Sequence, residues 1–372
     1  MLSPIPSLVL GQIILFTLAM LPLFARIKYS NGNLYIHHIR DHRTTVAFLG
    51  FIFCVFASYD GDWYHYYDIV VENFEHPNPY SHIEPLHMWI ITTISFGFYI
   101  WWRIIIWGAA FLLLYFSFER LKINDLLTWS SIIAISVIQM STGRVYLGIA
   151  LMFYGFCCVL IPIKKRYSVI KGLLIMALSI YFHKSMVIYI CAAILSLVYY
   201  KKWMLTVALC AIPILIKIFL SLLISYLGSG EAVHSVFVYL EADQIAQGPG
   251  ILIYLRLLYL LMFAIFIISS IYVVKYLNLP LNTFRRIWQM AFILICLYIV
   301  VFCALTLNGI GSTSISGRIT LGLYFPLAII LSKMLRDKFK TKLNLSLLFL
   351  FYIIGVYRLM YAYYIQSLGG GI

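Results

Sequence analysis

Seven cations in this 372-residue chain lie inside or at the edge of apolar runs: Arg103, Arg144, Lys184, Lys217, Arg256, Arg318 and Arg358. An ionisable side chain within a membrane span costs roughly 3 kcal/mol on insertion scales, so its retention is a functional hypothesis by default. Six of the seven fall at one end of their runs, and Lys217 falls near the middle of CAIPILIKIFL. Arginine presents a planar fork of donors that matches phosphate oxygens two at a time. The six together read as one basic pocket for an anion. Any one alone is equally well explained by its head group reaching the lipid–water boundary, and Lys217 fits that plainer reading as well as a functional one.

The stretch 59–84 reads YDGDWYHYYDIVVENFEHPNPYSHIE. Carboxylates beside aromatic rings suit sugars: the acids accept hydroxyl hydrogen bonds, the rings cover apolar sugar faces, and one acid can serve as general base. Asp60 and Asp62 abut the end of an apolar run and are the candidate bases. Tyr59, Trp63, Tyr66 and Glu84 are the candidate sugar contacts. Asp60-x-Asp62 is also a weak metal-ligand pattern, while Asp68, Glu72 and Glu75 read as a solvated acidic face. His183-Lys184-Ser185 lies between two short apolar runs, where His183 could act as a base or, when charged, bond a phosphate. The Gly/Ser-rich LNGIGSTSISGR ends in Arg318 just before another run, and backbone N–H groups at a helix start favour anions.

The elements that position these residues follow from composition. Hydrophobic residues make up 63% and charged residues only 11%, against about 25% charged in a soluble domain, and mean hydropathy is +0.96. A helix needs about 20 apolar residues to cross the hydrocarbon core, and runs without period-2 alternation select helices over a barrel. Twelve spans are expected, near 7–25, 44–58, 100–118, 126–140, 144–161, 167–182, 184–199, 203–227, 251–274, 287–307, 318–334 and 345–361. The stretch 85–98 is too short and polar for a crossing and reads as a re-entrant or interfacial piece. The expected fold is an all-α polytopic membrane protein, one transmembrane domain over 1–372 with outward loops at 59–84 and 228–250. The opening MLSPIPSLVLGQ has no basic lead, so its run reads as a retained helix.

A net charge of +14 would raise the question of nucleic acid in a soluble protein. Here 20 of the 27 Lys and Arg fall in loops 26–43, 119–124, 162–172, 200–202, 275–286 and 333–342, which alternate to one side. Only Asp41, Glu119, Asp125 and Asp337 lie in or beside them among the acids. The positive-inside rule makes these loops cytoplasmic and puts both termini outside. Counting 85–98 as a span would invert every later loop. The seven Cys lie in apolar runs and show neither a disulfide framework nor zinc spacing. None of the usual nucleotide-binding motifs is present and the Asp60-x-Asp62 pattern alone is weak, so no cofactor and no nucleic acid is expected.

At these residues the sequence resembles the EpsG-type, Wzy-like polymerases of bacterial O-antigen and capsule assembly. The resemblance rests on YDGDWYHYYD, Glu84-Pro85-Leu86, Gly143-Arg144 leading into a helix with Ala150, FHKS over Phe182 to Ser185, and SGR followed by Tyr324-Phe325. It runs in family order over about 45–330. Val145 stands where the family often carries Gln, which removes an amide from beside Arg144.

The resemblance implies a glycosyltransferase C-like architecture in the bacterial inner membrane, with both termini periplasmic. It implies transfer of a growing glycan from its undecaprenyl-pyrophosphate carrier to an incoming lipid-linked repeat unit on the periplasmic side. Arg144, Lys184 and Arg318, with Arg256, Arg358 and Arg103 nearby, would then hold the pyrophosphate, and Asp60, Asp62 or His183 would be the base. Membrane lipids, a chain-length regulator and a flippase are the partners implied. The rival readings are a flippase for the same units, an O-antigen ligase, a membrane acyltransferase using His183, and a non-enzymatic assembly protein.

Overall fold

The computed structural model describes residues 6–30, 33–36, 39–57, 62–75, 84–136, 143–162, 165–197, 249–276, 283–307 and 319–367. The protein is a helical membrane protein. Helix α1 (Pro6–Ala25) leads into a hairpin of β1 (Ile27–Ser30) and β2 (Asn33–Ile36), followed by α2 (Arg43–Val55) and α3 (Asp62–Glu75). A short α4 (Pro85–Trp89) runs on as a π turn (Ile90–Ile94) before α5 (Tyr99–Leu121), α6 (Leu126–Ser136), α7 (Gly143–Leu160), α8 (Lys165–Ser179) and α9 (Met186–Leu197). Then come α10 (Pro249–Tyr276), α11 (Thr283–Leu307), α12 (Tyr324–Arg336) and α13 (Thr341–Ser367).

Each expected span overlaps one of these helices, except 203–227, which with Lys217 and the loop 228–250 lies outside the described residues. Among the described residues, four helical stretches are long and apolar enough to cross a bilayer: Tyr99–Leu121, Arg256–Val274, Ile319–Arg336 and Thr341–Tyr364. Two stretches between the expected spans carry regular structure of their own. The loop 26–43 contains an antiparallel hairpin, with Ser30 opposite Asn33 across Asn31-Gly32. The acidic stretch 59–84 contains a helix, because Tyr66, Ile69 and Val70 recur at helical spacing and are buried on one face of α3.

The core is organised around α6, whose eleven residues are all buried. It packs against α1, α2, α12 and α13, and Thr128 donates to Ser332 Oγ of α12 across 3.2 Å. Helices α7 and α8 approach through glycine. A Cβ on Gly155 would lie 2.7 Å from the carbonyl oxygen of Gly172, and the converse holds for Gly172. Only glycine lets two backbones meet so closely.

The basic loops gather at one end. Arg43 donates to Asn124 O at 3.0 Å and pairs with Glu119, Arg120 donates to Ile161 O at 2.8 Å, and Arg286 donates to Ser196 O at 2.8 Å. Arg336 pairs with Asp125 and donates to Lys122 O, while Tyr272 donates to Asp337. Burial of Asp125 raises its carboxyl above the ordinary value near 3.8, outweighing the attraction of Arg336 and the N–H of Thr128.

Candidate functional site

At the other end, α4 starts at Glu84, whose backbone is extended, with Pro85 in the first helical position, where its missing N–H costs nothing. With its π turn the helix has ten residues, about 15 Å at 1.5 Å per residue, half of a hydrocarbon core of about 30 Å. The segment therefore cannot cross. The chain turns at Phe96 and Gly97, both with positive φ, and enters α5. A Cβ on Gly97 would meet the Phe74 ring of α3 at 2.6 Å, so this turn needs glycine for both its dihedral and its space.

Glu84 does not cap its own helix. Its Oε1 accepts the backbone N–H of Lys184 at 3.1 Å, and the Glu84 side chain is buried. This contact ties α4 to the turn between α8 and α9. In that turn His183 N–H donates to Ser179 O at 3.2 Å and Met186 N–H to His183 O at 3.0 Å, so His183, Lys184 and Ser185 form the entry to α9. A carboxylate at a helix entry is favoured by the outward-pointing N–H groups there. The Lys184 side chain is exposed.

His183 is buried, with Nδ1 2.6 Å from Ser185 Oγ. The Ser185 backbone N–H donates to the same nitrogen at 3.2 Å. An N–H can only donate, so Nδ1 is an acceptor and the neutral ring carries its proton on Nε2. In this tautomer Nε2 of His183 is a donor rather than a lone pair. It suits a phosphate or leaving-group oxygen better than it suits proton abstraction.

Behind Glu84 lies an aromatic cluster that holds α3, α4 and α5 together. Trp102 stacks on Tyr66 and on Tyr99, with ring centroids 5.5 Å apart in each case, and His87 stands edge-on to Trp102 at 5.4 Å. All four side chains are buried. Tyr66 was expected to contact sugar directly; the structure puts its ring within this cluster, against Trp102. His87, Tyr99 and Trp102 were not singled out from the sequence. The available signal was spacing, with Glu84 and His87, and then Tyr99 and Trp102, each three apart on a helix.

Arg103 requires a correction. It was grouped with the phosphate-binding cations, but it is fully buried and points into the C-terminal turn of α2. Its Nε donates to Val55 O at 2.6 Å, Nη2 donates to Cys54 O and to Ala57 O, and Nη1 donates to Tyr99 OH at 3.2 Å. Gln12 donates to Phe56 O at 2.6 Å in the same turn. A helix end leaves four carbonyls without intrahelical partners, and Arg103 supplies donors to this one.

The structure thus brings together Glu84, His183 and Lys184, with Tyr66 behind them. Arg256 is exposed on α10, and Arg358 is buried on α13, the helix that packs against α10. Asp62 and Trp63 open α3, and Arg144 is the second residue of α7; their side chains lie outside the described set, as do Tyr59, Asp60 and Arg318 entirely.

The fold is that of a helical membrane protein, and the polar groups Glu84, His183 and Lys184 meet at one end of it. A model of the EpsG family matches residues 43–369, and the chain belongs to that family. Membership points to a polysaccharide-polymerase type of function in the membrane. No curated protein and no solved structure matches the chain.

Proposed function

We propose that the protein is a Wzy-like glycosyltransferase that joins undecaprenyl-pyrophosphate-linked oligosaccharide repeat units on the periplasmic face of the bacterial inner membrane. The observation that carries the reading is the bond from Lys184 N–H to Glu84 Oε1, which joins the acidic, aromatic segment to the His183-Lys184-Ser185 turn. One wall of the site offers acids and rings for sugar, the other cations and N–H groups for phosphate. Family membership supplies the reaction class.

Arg144, Lys184 and Arg318, with Arg256 and Arg358 further out, hold the donor pyrophosphate. Asp60 or Asp62 takes the proton from the attacking hydroxyl, whose oxygen forms the new glycosidic bond as the sugar–phosphate bond breaks. Undecaprenyl pyrophosphate departs with the bonding electron pair, and fixed cations stabilise the charge that develops on it. His183 Nε2–H donates to a departing oxygen, so its role is that of a donor rather than a base. Glu84 contacts the acceptor sugar. The basic loops face the cytoplasm and both termini the periplasm, and the lipid-linked unit arrives from a flippase.

The test is the surface-glycan ladder in cells lacking the gene. A polymerase defect leaves a single repeat unit, and Arg144→Ala and Arg318→Ala each give the same truncated pattern while the protein still inserts. Loss of all surface glycan in the deletion, or normal chain lengths in both variants, overturns the reading.

A further inference from the structure

The three cations assigned to the donor pyrophosphate, Arg144, Lys184 and Arg318, belong to three different parts of the helix assembly, so their spacing depends on how those parts pack. Helices α7, α9 and the stretch Ile319–Arg336 all finish at the basic end. Arg120 donates to Ile161 O just beyond α7, Arg286 donates to Ser196 O near the end of α9, and Arg336 pairs with Asp125. The starts of all three therefore share the other end.

There the first turn of α9 is wedged between the other two. Met186 and Tyr189, three residues apart on one face of α9, are both fully buried. Met186 packs on Gly148 of α7, where a Cβ would lie 3.1 Å from its sulfur, and the Tyr189 ring packs on Gly322, where a Cβ would lie 2.4 Å from Cδ1. Phe325 closes the third side, with its ring 5.0 Å from that of Tyr146 and 6.0 Å from that of Phe153, both on α7. The stretch Ile319–Arg336 tightens where Tyr189 meets it, because Leu323 N–H donates to Thr320 O at 2.9 Å, three residues back rather than four. Along the chain Lys184 stands two residues before Met186, while Arg144 and Arg318 stand four residues, about one turn, before Gly148 and Gly322.

We infer that Tyr189 and Gly322, with Met186 and Gly148, are positioning residues that set the spacing of Arg144, Lys184 and Arg318 for a two-phosphate head group, an inference that rests on the function proposed above. All four are buried, and they act through the cations. Carbon atoms rest about 3.5–4.0 Å apart, so Gly322→Ala forces the buried ring or the helix start to move by about 1 Å. A displacement of that size can cost about a hundredfold. A methionine thioether yields more readily than a ring, so Gly148→Ala moves its helix less.

The experiment uses the full-length protein in phosphatidylglycerol nanodiscs and compares undecaprenyl pyrophosphate with undecaprenyl phosphate as competitors of a photoreactive undecaprenyl pyrophosphate. The pyrophosphate should compete at least about tenfold better, because its second phosphate adds a charge-assisted hydrogen bond. Gly322→Ala should lower that preference by about tenfold and Gly148→Ala by about threefold. Adding Tyr189→Leu to Gly322→Ala, which vacates the space of the ring, should restore it. Gly50→Ala is the control: its Cβ would lie 2.5 Å from Ile133 Cδ1, a clash of similar size where α2 meets α6 and no cation is assigned. It should lower the melting temperature and leave the preference unchanged. A wild-type protein without the preference, a folded Gly322→Ala that keeps it, an equal loss in Gly50→Ala, or no restoration by Tyr189→Leu overturns the inference. If Gly322→Ala does not fold, Gly148→Ala decides in the same way. The glycan ladder is read separately. A truncated ladder on deletion with an unmoved preference discards the positioning role and keeps the polymerase, whereas a moved preference with a normal ladder does the reverse.

Discussion

The two ends of the helix assembly use charge differently. At the basic end the ion pairs between described residues are Arg26–Asp41, Arg43–Glu119, Lys333–Asp337 and Arg336–Asp125, so cation meets carboxylate. At the opposite end Arg103 is spent on the carbonyls of a helix terminus, and Glu84 on the backbone N–H of a helix entry. The first pattern joins loops to one another and serves architecture. The second places charged side chains on backbone groups, which fixes where they sit. A substitution at the basic end should therefore register as stability, and one around Glu84 as activity.

The largest effect should come from the residue that crosses this division. Arg103 lies at the site end but acts structurally, because Arg103→Ala removes the guanidinium donor from the carbonyls of Val55 and Ala57, while Cys54 O keeps the N–H of Ala57. A buried acceptor left unsatisfied costs about 1–3 kcal/mol, so the variant should lose at least about 2 kcal/mol in a thermal or denaturant assay in detergent. Activity should fall with the folded fraction and no further. A fully stable but inactive Arg103→Ala would return Arg103 to the phosphate-binding set and blur the comparison.

Arg336→Ala comes next. Asp125 is nearly fully buried, and removing one partner of a buried pair costs about 3–5 kcal/mol; the lower figure is expected because Arg336 is partly exposed. The pH dependence has a definite sign. Burial raises the folded-state pKa of Asp125 above its ordinary value near 3.8, so the folded protein holds this proton more tightly than the unfolded chain. Stability from this group is greatest below about pH 4 and falls as pH rises through the raised value. Asp125→Asn, which keeps an acceptor for Thr128 N–H, should flatten that slope, measured as melting temperature against pH.

How far the sequence reveals this arrangement depends on the range of each interaction. Apolar runs locate the spans because a helix satisfies its backbone internally and is a local decision. The α3 helix is legible in part: Tyr66, Ile69 and Val70 recur at helical spacing, while six acids and many aromatics keep the stretch from reading as a span. The hairpin was also legible, since Asn31-Gly32 between IKYS and NLYI is a strong short-range turn signal. The Glu84–Lys184 bond joins residues 100 positions apart, and neither flank encodes its partner. Arg103 misled for a related reason. Its depth marked it as unusual, but whether a buried guanidinium meets a ligand or a helix end depends on α2, some 48 residues earlier.

Glu84→Gln probes the site end with little structural disturbance. The amide oxygen still accepts the Lys184 N–H and the volume is unchanged, so stability should shift by less than about 1 kcal/mol. The lost charge should shorten surface-glycan chains and lower the polymerisation rate by about tenfold to a hundredfold, within the range of one positioned polar group. A destabilised Glu84→Gln with proportionate activity would make Glu84 another structural cap.

The smallest effect should be that of Arg43→Gln, and it tests the basic end at its weakest point. Arg43 and Glu119 are 3.8 Å apart with side chains 36% and 46% exposed, so water screens the pair and its ordering entropy offsets most of the attraction. Such pairs contribute about 0–1 kcal/mol. Arg43 also donates to Asn124 O at 3.0 Å, a bond the glutamine amide is too short to reproduce in place and water can replace at this exposure. Melting temperature should fall by a degree or two at most, with the glycan ladder unchanged. A loss as large as that of Arg336→Ala would mean that the Arg43–Glu119–Asn124 group acts as one cooperative unit, and that the basic end is held by its network rather than by the single buried pair at Asp125.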